Sequence, residues 1–175
     1  KTEDELSKAL IHNKTIKKMF TRMLNRTLLL SLLFLAQQSV FSQQEMRWDT
    51  HGIGFTVPTD FKIQTNNAEE YTAANDNLFL SIIPIQDENL TKEHLAEAVV
   101  EMAKELEYDV VDNADEAEMQ DLVGYYVLGK KDGVNALLMA LMDTESSTNL
   151  LVVIVYDDRS ERMALKVANS FFAYD

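Results

Sequence analysis

Residues 122–156 read LVGYYVLGKKDGVNALLMALMDTESSTNLLVVIVY and contain three runs rich in Val, Leu, Tyr and Ile. The runs are Leu122 to Lys130, Val134 to Met142 and Asn149 to Tyr156. An Asp-Gly pair separates the first two runs, and this pair is typical of the tight turn of a β-hairpin. We therefore predict a meander of three antiparallel strands. The third run is apolar throughout its centre, which indicates a strand that is covered on both faces.

Shorter strands and one clear helix precede this meander. Ile53, Phe55 and Val57 alternate with small or polar residues, which predicts a strand with one buried face. A second strand, at residues 78–85, follows the turn-forming sequence Asn-Asp-Asn. Thr91 is a favourable N-cap for a helix in which apolar residues recur every three or four positions. This part of the chain therefore predicts strand, strand and helix.

The remaining segments complete an α+β pattern. Residues 43–49 are read as a polar start, and the acidic residues 112–121 as a solvated loop or an irregular sheet edge. Asp158 is the predicted N-cap of a last helix whose apolar face extends to the aromatic pair 171–172. Strands followed by a helix, more strands and a helix predict one antiparallel β-sheet sandwiched by helices, an α/β/α arrangement.

The charge of the chain changes sharply after residue 42. Residues 1–42 carry seven basic and three acidic side chains, whereas residues 43–175 carry nine basic and twenty-six acidic ones. The second part therefore has a net charge of -17, which opposes binding to nucleic acid or to anionic membranes and favours basic partners. With 175 residues, the chain is long enough for one packed domain.

The first part has the pattern of a secretory signal. A basic start precedes the apolar run at residues 28–36, which is too short to cross a bilayer as a helix. Val40 and Ser42 supply the small side chains that precede a signal peptidase cut. We predict an upstream extension at residues 1–18, a signal peptide at 19–42 and a single exported domain, periplasmic or extracellular, at 43–175.

One segment of the mature domain resembles a known family. The sequence Gly54-Phe55-Thr56-Val57-Pro58-Thr59-Asp60-Phe61 is similar to the opening strand, F-x-V/I-P-x-x-F/W, of the PsbP-like superfamily. That group includes PsbP of photosystem II and the Mog-type Ran-binding proteins. The order of elements is also similar over nearly all of the stretch from Trp48 to Tyr174. The resemblance implies an α/β/α sandwich and a role in binding or assembly rather than catalysis. It carries over neither metal ligands nor Ran-contact residues, because no motif here matches them.

Motifs for catalysis are missing from the sequence. It has no Cys, no Gly-x-Ser-x-Gly elbow, no Walker motif and no complete dinucleotide-binding loop. His51 and His94 are the histidines of the mature domain, and His94 with Glu97 lacks the second histidine of a helical zinc site. We therefore predict no catalytic residues, no metal site and no cofactor.

The first helix carries a row of acidic residues. Glu93, Glu97, Glu101 and Glu105 stand four positions apart, and this spacing predicts that they share one helix face. Like charges at this spacing reduce helix stability by a few tenths of a kcal/mol each. The row is therefore interpreted either as a solvated face or as a docking surface for a basic partner or for weakly bound divalent cations.

The acidic residues after the helix have a similar pair of interpretations. Carboxylates cluster in residues 109–121, and clustered oxygen ligands are what Ca²⁺ requires. The segment lacks the glycine and the regular ligand spacing of an EF-hand, so a solvated loop and a loose cation site both remain open. The residues concerned are Asp109, Asp112, Asp115, Glu116, Glu118 and Asp121.

These observations predict a non-enzymatic, exported binding or assembly module of the bacterial envelope. Its partner is expected to be another envelope protein, favoured if basic, that docks on the glutamate row or on a sheet edge. The alternative is a carrier of a small hydrophobic molecule, with a pocket between sheet and helix lined by Met102, Met139 and Met142. The sequence leaves the oligomeric state open.

Overall fold

Our computed structural model describes residues 42–85, 90–110, 113–146 and 148–174. The predicted upstream extension and, apart from Ser42, the predicted signal peptide lie outside these ranges. The described strands are β1 (Gln43–Trp48), β2 (Ile53–Pro58), β3 (Lys62–Asn66), β4 (Tyr71–Ala74), β5 (Leu78–Pro84), β6 (Asp109–Val110), β7 (Asp115–Met119), β8 (Leu122–Lys131), β9 (Val134–Asp143), β10 (Asn149–Tyr156) and β11 (Phe172–Ala173). The described helices are α1 (Lys92–Glu105) and α2 (Glu161–Ala168).

A large antiparallel sheet forms the centre of the fold. Its strand order is β3-β4-β5-β10-β9-β8-β6, and β7 pairs with the same edge of β8 as β6. The predicted meander β8-β9-β10 is confirmed, and β4 and β5 form a hairpin across the turn-forming sequence Asn-Asp-Asn. Asp132 and Gly133 form the turn between β8 and β9 with φ of 51° and 83°. A two-residue turn with both φ values positive matches the twist of a hairpin, which explains the Asp-Gly pair.

A small sheet of order β1-β2-β11 includes a strand that the sequence pattern did not predict. Residues 43–49 were expected to be a polar start, but Gln43–Trp48 pairs along its whole length with β2. Its inward positions hold Gln44, Met46 and the fully buried Trp48, while glutamine, glutamate and arginine occupy the outward ones. The side chains of β1 alternate between inward and outward positions. Polar residues occupy most of these positions, so the sequence shows no clear alternation of apolar and polar residues.

The acidic segment after α1 is a sheet edge rather than a loop. Asp109–Val110 and Asp115–Met119 pair with β8, so the irregular-edge interpretation is confirmed and the loop interpretation is wrong. Exposed carboxylates on an edge strand discourage pairing with a further chain. Successive side chains of a strand point to opposite faces, so Asp115 points away from the face that Glu116 and Glu118 share. Within the described ranges, no group of three or more His, Asp and Glu side chains is placed to hold a metal ion.

Helix α1 begins where the sequence predicts. Thr91 is its N-cap, and the Nδ1 atom of His94 accepts a hydrogen bond from the Thr91 backbone N–H at 3.3 Å. Leu90, just before the N-cap, packs with the cluster that contains the fully buried Leu95, and this contact is a hydrophobic staple at the start of the helix. His94 therefore helps to close the first turn of the helix through a contact with the backbone.

Helix α2 begins later and ends earlier than its sequence signals indicate. Its N-cap is Ser160 rather than Asp158, because residues 158–160 form a turn before the first helical residue. Asp158 instead accepts a hydrogen bond from Asn135 at 2.7 Å. The helix ends at Ala168, so the aromatic pair 171–172 lies beyond it. Phe171 is buried in the core, and Phe172 belongs to the short strand β11.

The two helices pack on opposite faces of the large sheet. One face carries α2 and the small sheet, with a core that includes Trp48, Phe55, Leu80, Ile154 and Phe171. The opposite face carries α1, whose buried residues pack on β8 and β9. The predicted α+β class with helices on both faces is therefore confirmed. Neither of the described helices combines the length and the apolar character that a membrane crossing requires.

Candidate functional site

Helix α1 covers only part of its face of the large sheet. An α-helix with its side chains is about 10 Å wide and neighbouring strands lie about 4.8 Å apart, so one helix covers about two strands. The two covered strands are β8 and β9. The contact is made by Leu95, Val99, Met102 and Ala103 of the helix and by Val127, Ala136, Leu138 and Ala140 of the strands. The next strands in the sheet, β10 and β5, therefore lie beside the helix and not beneath it.

This arrangement leaves an apolar groove, called here the helix–sheet groove. It has a volume of about 660 Å³ and lies between the C-terminal half of α1 and the strands β5 and β10. Its lining consists of Phe79, Ser81, Ile83, Leu151 and Val153 from the strands, Ala98, Glu101, Met102, Glu105 and Leu106 from the helix, and Tyr108 and Lys131 at one end. Large apolar side chains thus form an open surface.

The strand register explains why the floor of the groove is apolar. Leu151 pairs with Ile83 and Val153 pairs with Ser81, so these side chains form adjacent rows on one face of the sheet. The intervening residues, such as Leu80 and Ile154, point to the opposite core. The sequence predicts that β10 is covered on both faces, but the structure covers it fully on one face only. Its other face is half-buried in the groove.

Three side chains of the lining are unusually exposed for their size. Phe79 is 37% exposed, Ile83 44% and Leu106 41%. The sequence pattern indicates burial for all three, because β5 is apolar apart from Ser81 and Leu106 continues the apolar spacing of α1. Periodicity identifies apolar positions but does not show which of them lack a covering element. Contiguous exposed apolar surface of this kind marks interaction sites.

Lys131 closes one end of the groove. Its Nζ atom donates hydrogen bonds to the Leu106 carbonyl oxygen at 3.0 Å and to Glu107 Oε2 at 2.8 Å. The hydrogen bond and the charge of Glu107 raise the pKa of Lys131, and Lys131 in turn lowers the pKa of Glu107. Glu107 reaches this position through a left-handed backbone with φ of 61° just after the helix. The positive charge of Lys131 is thus matched by its own neighbour.

The structure places the four glutamates of the acidic row at different angles around α1. All four are exposed. Each step of four residues turns about 40° beyond a full circle, so the row winds by about 120° from Glu93 to Glu105. As a result Glu101 and Glu105 line the groove, whereas Glu93 and Glu97 are not part of its lining. Among the described residues, none of the four forms an ion pair.

The methionines named for a ligand cavity are not brought together. Met102 lines the groove. Met139 belongs to the core on the opposite face of the sheet, and Met142 packs at the border of the α1 core without lining the groove. A pocket between helix and sheet therefore exists as the alternative function predicted, but aliphatic and aromatic residues line most of it.

A second, polar cavity of about 350 Å³ lies near the C-terminal residues. Asp143, one of three acidic residues in its lining, is buried and accepts hydrogen bonds from the Glu145 backbone N–H at 2.9 Å and from Ser146 Oγ at 2.5 Å. His51 bonds to the Ala68 carbonyl oxygen at 2.9 Å and contacts the Trp48 ring. Asp143 and His51 thus each have hydrogen-bond partners within the protein, so the cavity is best explained as a hydrogen-bonded corner of the fold.

Tyr174, which also lines the polar cavity, gives a prediction about alkaline stability. Its hydroxyl donates a hydrogen bond of 2.6 Å to Asp49 Oδ1, and burial together with this bond raises its pKa to about 12. For Tyr174→Phe we expect the free energy of unfolding to fall by about 0.5–1 kcal/mol at neutral pH.

The pH dependence of this loss has a definite sign. Because the folded-state pKa of Tyr174 lies above its ordinary value of 10.0, its contribution is complete below pH 10 and disappears as the pH rises towards 12. The difference in the free energy of unfolding between the unmodified protein and Tyr174→Phe should therefore narrow above pH 10. Urea unfolding at about pH 8 and pH 11 measures it. A difference that stays constant over this interval would contradict the assignment.

Comparisons with known proteins find similarity in structure alone. No model of a protein family matches the chain, and no curated protein matches it significantly. Cyanobacterial PsbP from Synechocystis has a TM-score of 0.54 and 14% identity, covering 79% of this chain and 96% of that one. The Ran-binding protein Mog1p from Saccharomyces cerevisiae has a TM-score of 0.53 and 13% identity, covering 77% and 97%.

A third solved structure, a protein from Bacteroides thetaiotaomicron, has a TM-score of 0.51 and 9% identity over 75% of this chain. The match covers 48% of that protein, so this chain spans about half its length. The superpositions show a common fold, and at these identities they carry no residue roles. The resemblance noted in the opening strand is thus confirmed at the level of architecture: this chain has the PsbP/Mog1-like α+β fold.

Proposed function

We propose that this protein is a non-enzymatic binding module of the bacterial envelope that docks a segment of another protein in the helix–sheet groove. The observation that supports it is the open apolar lining, in which Phe79, Ile83 and Leu106 are each more than a third exposed. Their exposure costs hydrophobic free energy that a docked partner would recover. The predicted signal peptide at residues 19–42 supports the assignment to the envelope.

The openness of the groove favours a protein partner over a small ligand. A carrier site typically buries about 70–90% of the surface of its ligand. Here the apolar floor formed by Phe79 and Ile83 faces outward. A partner's side chains would fill such a surface while the rest of the partner shields it from water. The carrier of a small hydrophobic molecule remains the second candidate, supported by the volume of about 660 Å³.

The chemistry of the lining supports binding rather than catalysis. Glu101, Glu105, Tyr108 and Lys131 are its ionisable members. Lys131 is held by Glu107 and by a backbone carbonyl oxygen, and no nucleophile is hydrogen-bonded to a base among the described lining residues. Covalent and acid–base catalysis both require such a positioned pair.

Site-specific photo-crosslinking tests the proposal directly. A benzophenone amino acid in place of Phe79 should crosslink, in living cells, to one discrete envelope protein. The same amino acid in place of Ile63, an exposed apolar residue on β3, should not, because Ile63 is outside the groove lining. Mass spectrometry of the bait should also find its N-terminus at Gln43. If position 79 yields no protein while native mass spectrometry finds a bound small molecule, the carrier function replaces this one.

Ile83→Asp is the matching loss-of-function variant. It places a charge on the floor of the groove, where a partner would have to desolvate it, so we expect binding to fall more than tenfold. The fold should tolerate the change because Ile83 is already 44% exposed. Ile63→Asp is the control, since Ile63 is 50% exposed and lies on another strand. The yield of the crosslink from position 79 measures both variants, and equal yields would contradict the proposed site.

A further inference from the structure

Among the described residues, the charges of the groove lining that lack an ion-pair partner are of one sign. Glu101 and Glu105 lie in its lining without an ion-pair partner among the described residues, while the charge of Lys131 is matched by Glu107. The mature region as a whole carries a net charge of -17. An apolar occupant with acidic groups would meet repulsion here, whereas one with basic groups would gain attraction and a faster encounter.

The floor of the groove is long enough for two turns of a helix. Phe79, Ser81 and Ile83 are alternate residues of one strand, so they span about 13 Å along it. Apolar residues at positions i and i+7 of a helix lie about 10 Å apart along its axis. Helices that dock in apolar grooves use anchors at i, i+3 or i+4, and i+7. On the floor, the apolar side chains of Phe79 and Ile83 lie on either side of the small polar Ser81. They can therefore contact two apolar anchors of such a helix.

We infer that the occupant of the groove is a basic amphipathic helix of the partner protein. Its apolar face lies on β5 and β10, and its Lys or Arg side chains lie against Glu101 and Glu105 on the α1 side. This inference rests on the proposed function and adds the chemical class of the partner. It assigns different roles to the two halves of the acidic row, because Glu93 and Glu97 lie away from the groove.

Three synthetic peptides and two double variants test this inference on the full-length protein. The probes are labelled helical peptides of about 14 residues, or four turns: one of Leu, Ala and Lys in an amphipathic order, one with Gln in place of Lys, and one with the first composition scrambled. Fluorescence anisotropy measures their affinity. We expect the basic amphipathic peptide to bind at least fivefold more tightly than either of the others. Ile83→Asn, which removes an apolar side chain of the floor without adding a negative charge, should weaken binding of the basic amphipathic peptide.

The matched variants are E101Q/E105Q and E93Q/E97Q, which remove the same charge from the same helix. The first should weaken binding of the basic peptide about fivefold and reduce its salt dependence, and the second less than twofold. Equal effects of the two variants, equal binding of the Lys and Gln peptides, or equal binding of the scrambled peptide would each overturn the inference. The in-cell crosslink at position 79 would then still support the proposed function, whose own failure is the loss of that crosslink.

Discussion

Phe55→Ala is expected to lower the free energy of unfolding by about 3–5 kcal/mol, the range typical of a buried phenylalanine reduced to alanine. Phe55 is fully buried. Its ring stacks on Phe171 with a centroid distance of 5.1 Å and meets Tyr71 edge-on at 5.2 Å. The variant therefore removes ring contacts to β4 of the large sheet and to the C-terminal segment together. The cavity lies between packed layers that have little freedom to collapse into it.

Phe79→Ala is the matched control for this prediction. It is the same change at a site that is already 37% exposed, so we expect a loss below about 1 kcal/mol. Urea unfolding can be followed by the fluorescence of Trp48, the one tryptophan of the chain, and by circular dichroism. Trp48 is fully buried and should report its release to water. Similar losses for the two variants would show that the aromatic cluster around Phe55 is not a centre of stability.

The same cluster explains what the PsbP-like motif encodes. Its apolar positions Phe55, Val57 and Phe61 are all buried in the core on the α2 side of the large sheet. The helix–sheet groove lies on the opposite face. In this chain the motif therefore specifies packing of the core, and a common fold at 13–14% identity does not imply a common site.

Local signals account for the elements that the sequence predicted. The Asp-Gly turn, the N-cap Thr91 and the apolar runs of β8, β9 and β10 each act through neighbours in the chain. Strand β1 could not be predicted in this way, because its partner β2 and its buried Trp48 stabilise a segment of mainly polar residues. The start of α2 was missed because a turn and a helix N-terminus use the same residue types.

The groove was beyond sequence analysis for a different reason. A four-residue repeat identifies the row of glutamates, but its winding relative to the sheet depends on how α1 lies on β8 and β9. Only that placement separates Glu101 and Glu105 from Glu93 and Glu97. In the same way, the apolar character of β5 predicts burial, whereas the width of one helix leaves Phe79 and Ile83 uncovered. Prediction of the site required the dimensions of the packed layers.

Gly124→Ala is expected to cost about 3 kcal/mol or more, although it adds a single methyl group. A Cβ atom at Gly124 would lie only 1.9 Å from the Ala140 carbonyl oxygen and 3.0 Å from the Leu141 Cα atom. Both are backbone atoms of β9, so relief requires the two central strands to separate or shift. Urea unfolding measures the loss. A loss below about 1 kcal/mol would show that β8 and β9 are not so closely apposed at this point.

Gly54→Ala provides the contrast that identifies backbone as the cause. A Cβ atom at Gly54 would lie 2.2 Å from the end of the Phe172 ring, which is a side chain on the short strand β11. The double variant G54A/F172A should therefore recover much of the loss caused by Gly54→Ala, beyond the separate effect of Phe172→Ala. At Gly124 the obstructing atoms belong to the Ala140 and Leu141 backbone, which no truncation of a side chain removes. We therefore expect that shortening a neighbouring side chain can suppress the effect of Gly54→Ala. No such truncation should suppress the effect of Gly124→Ala.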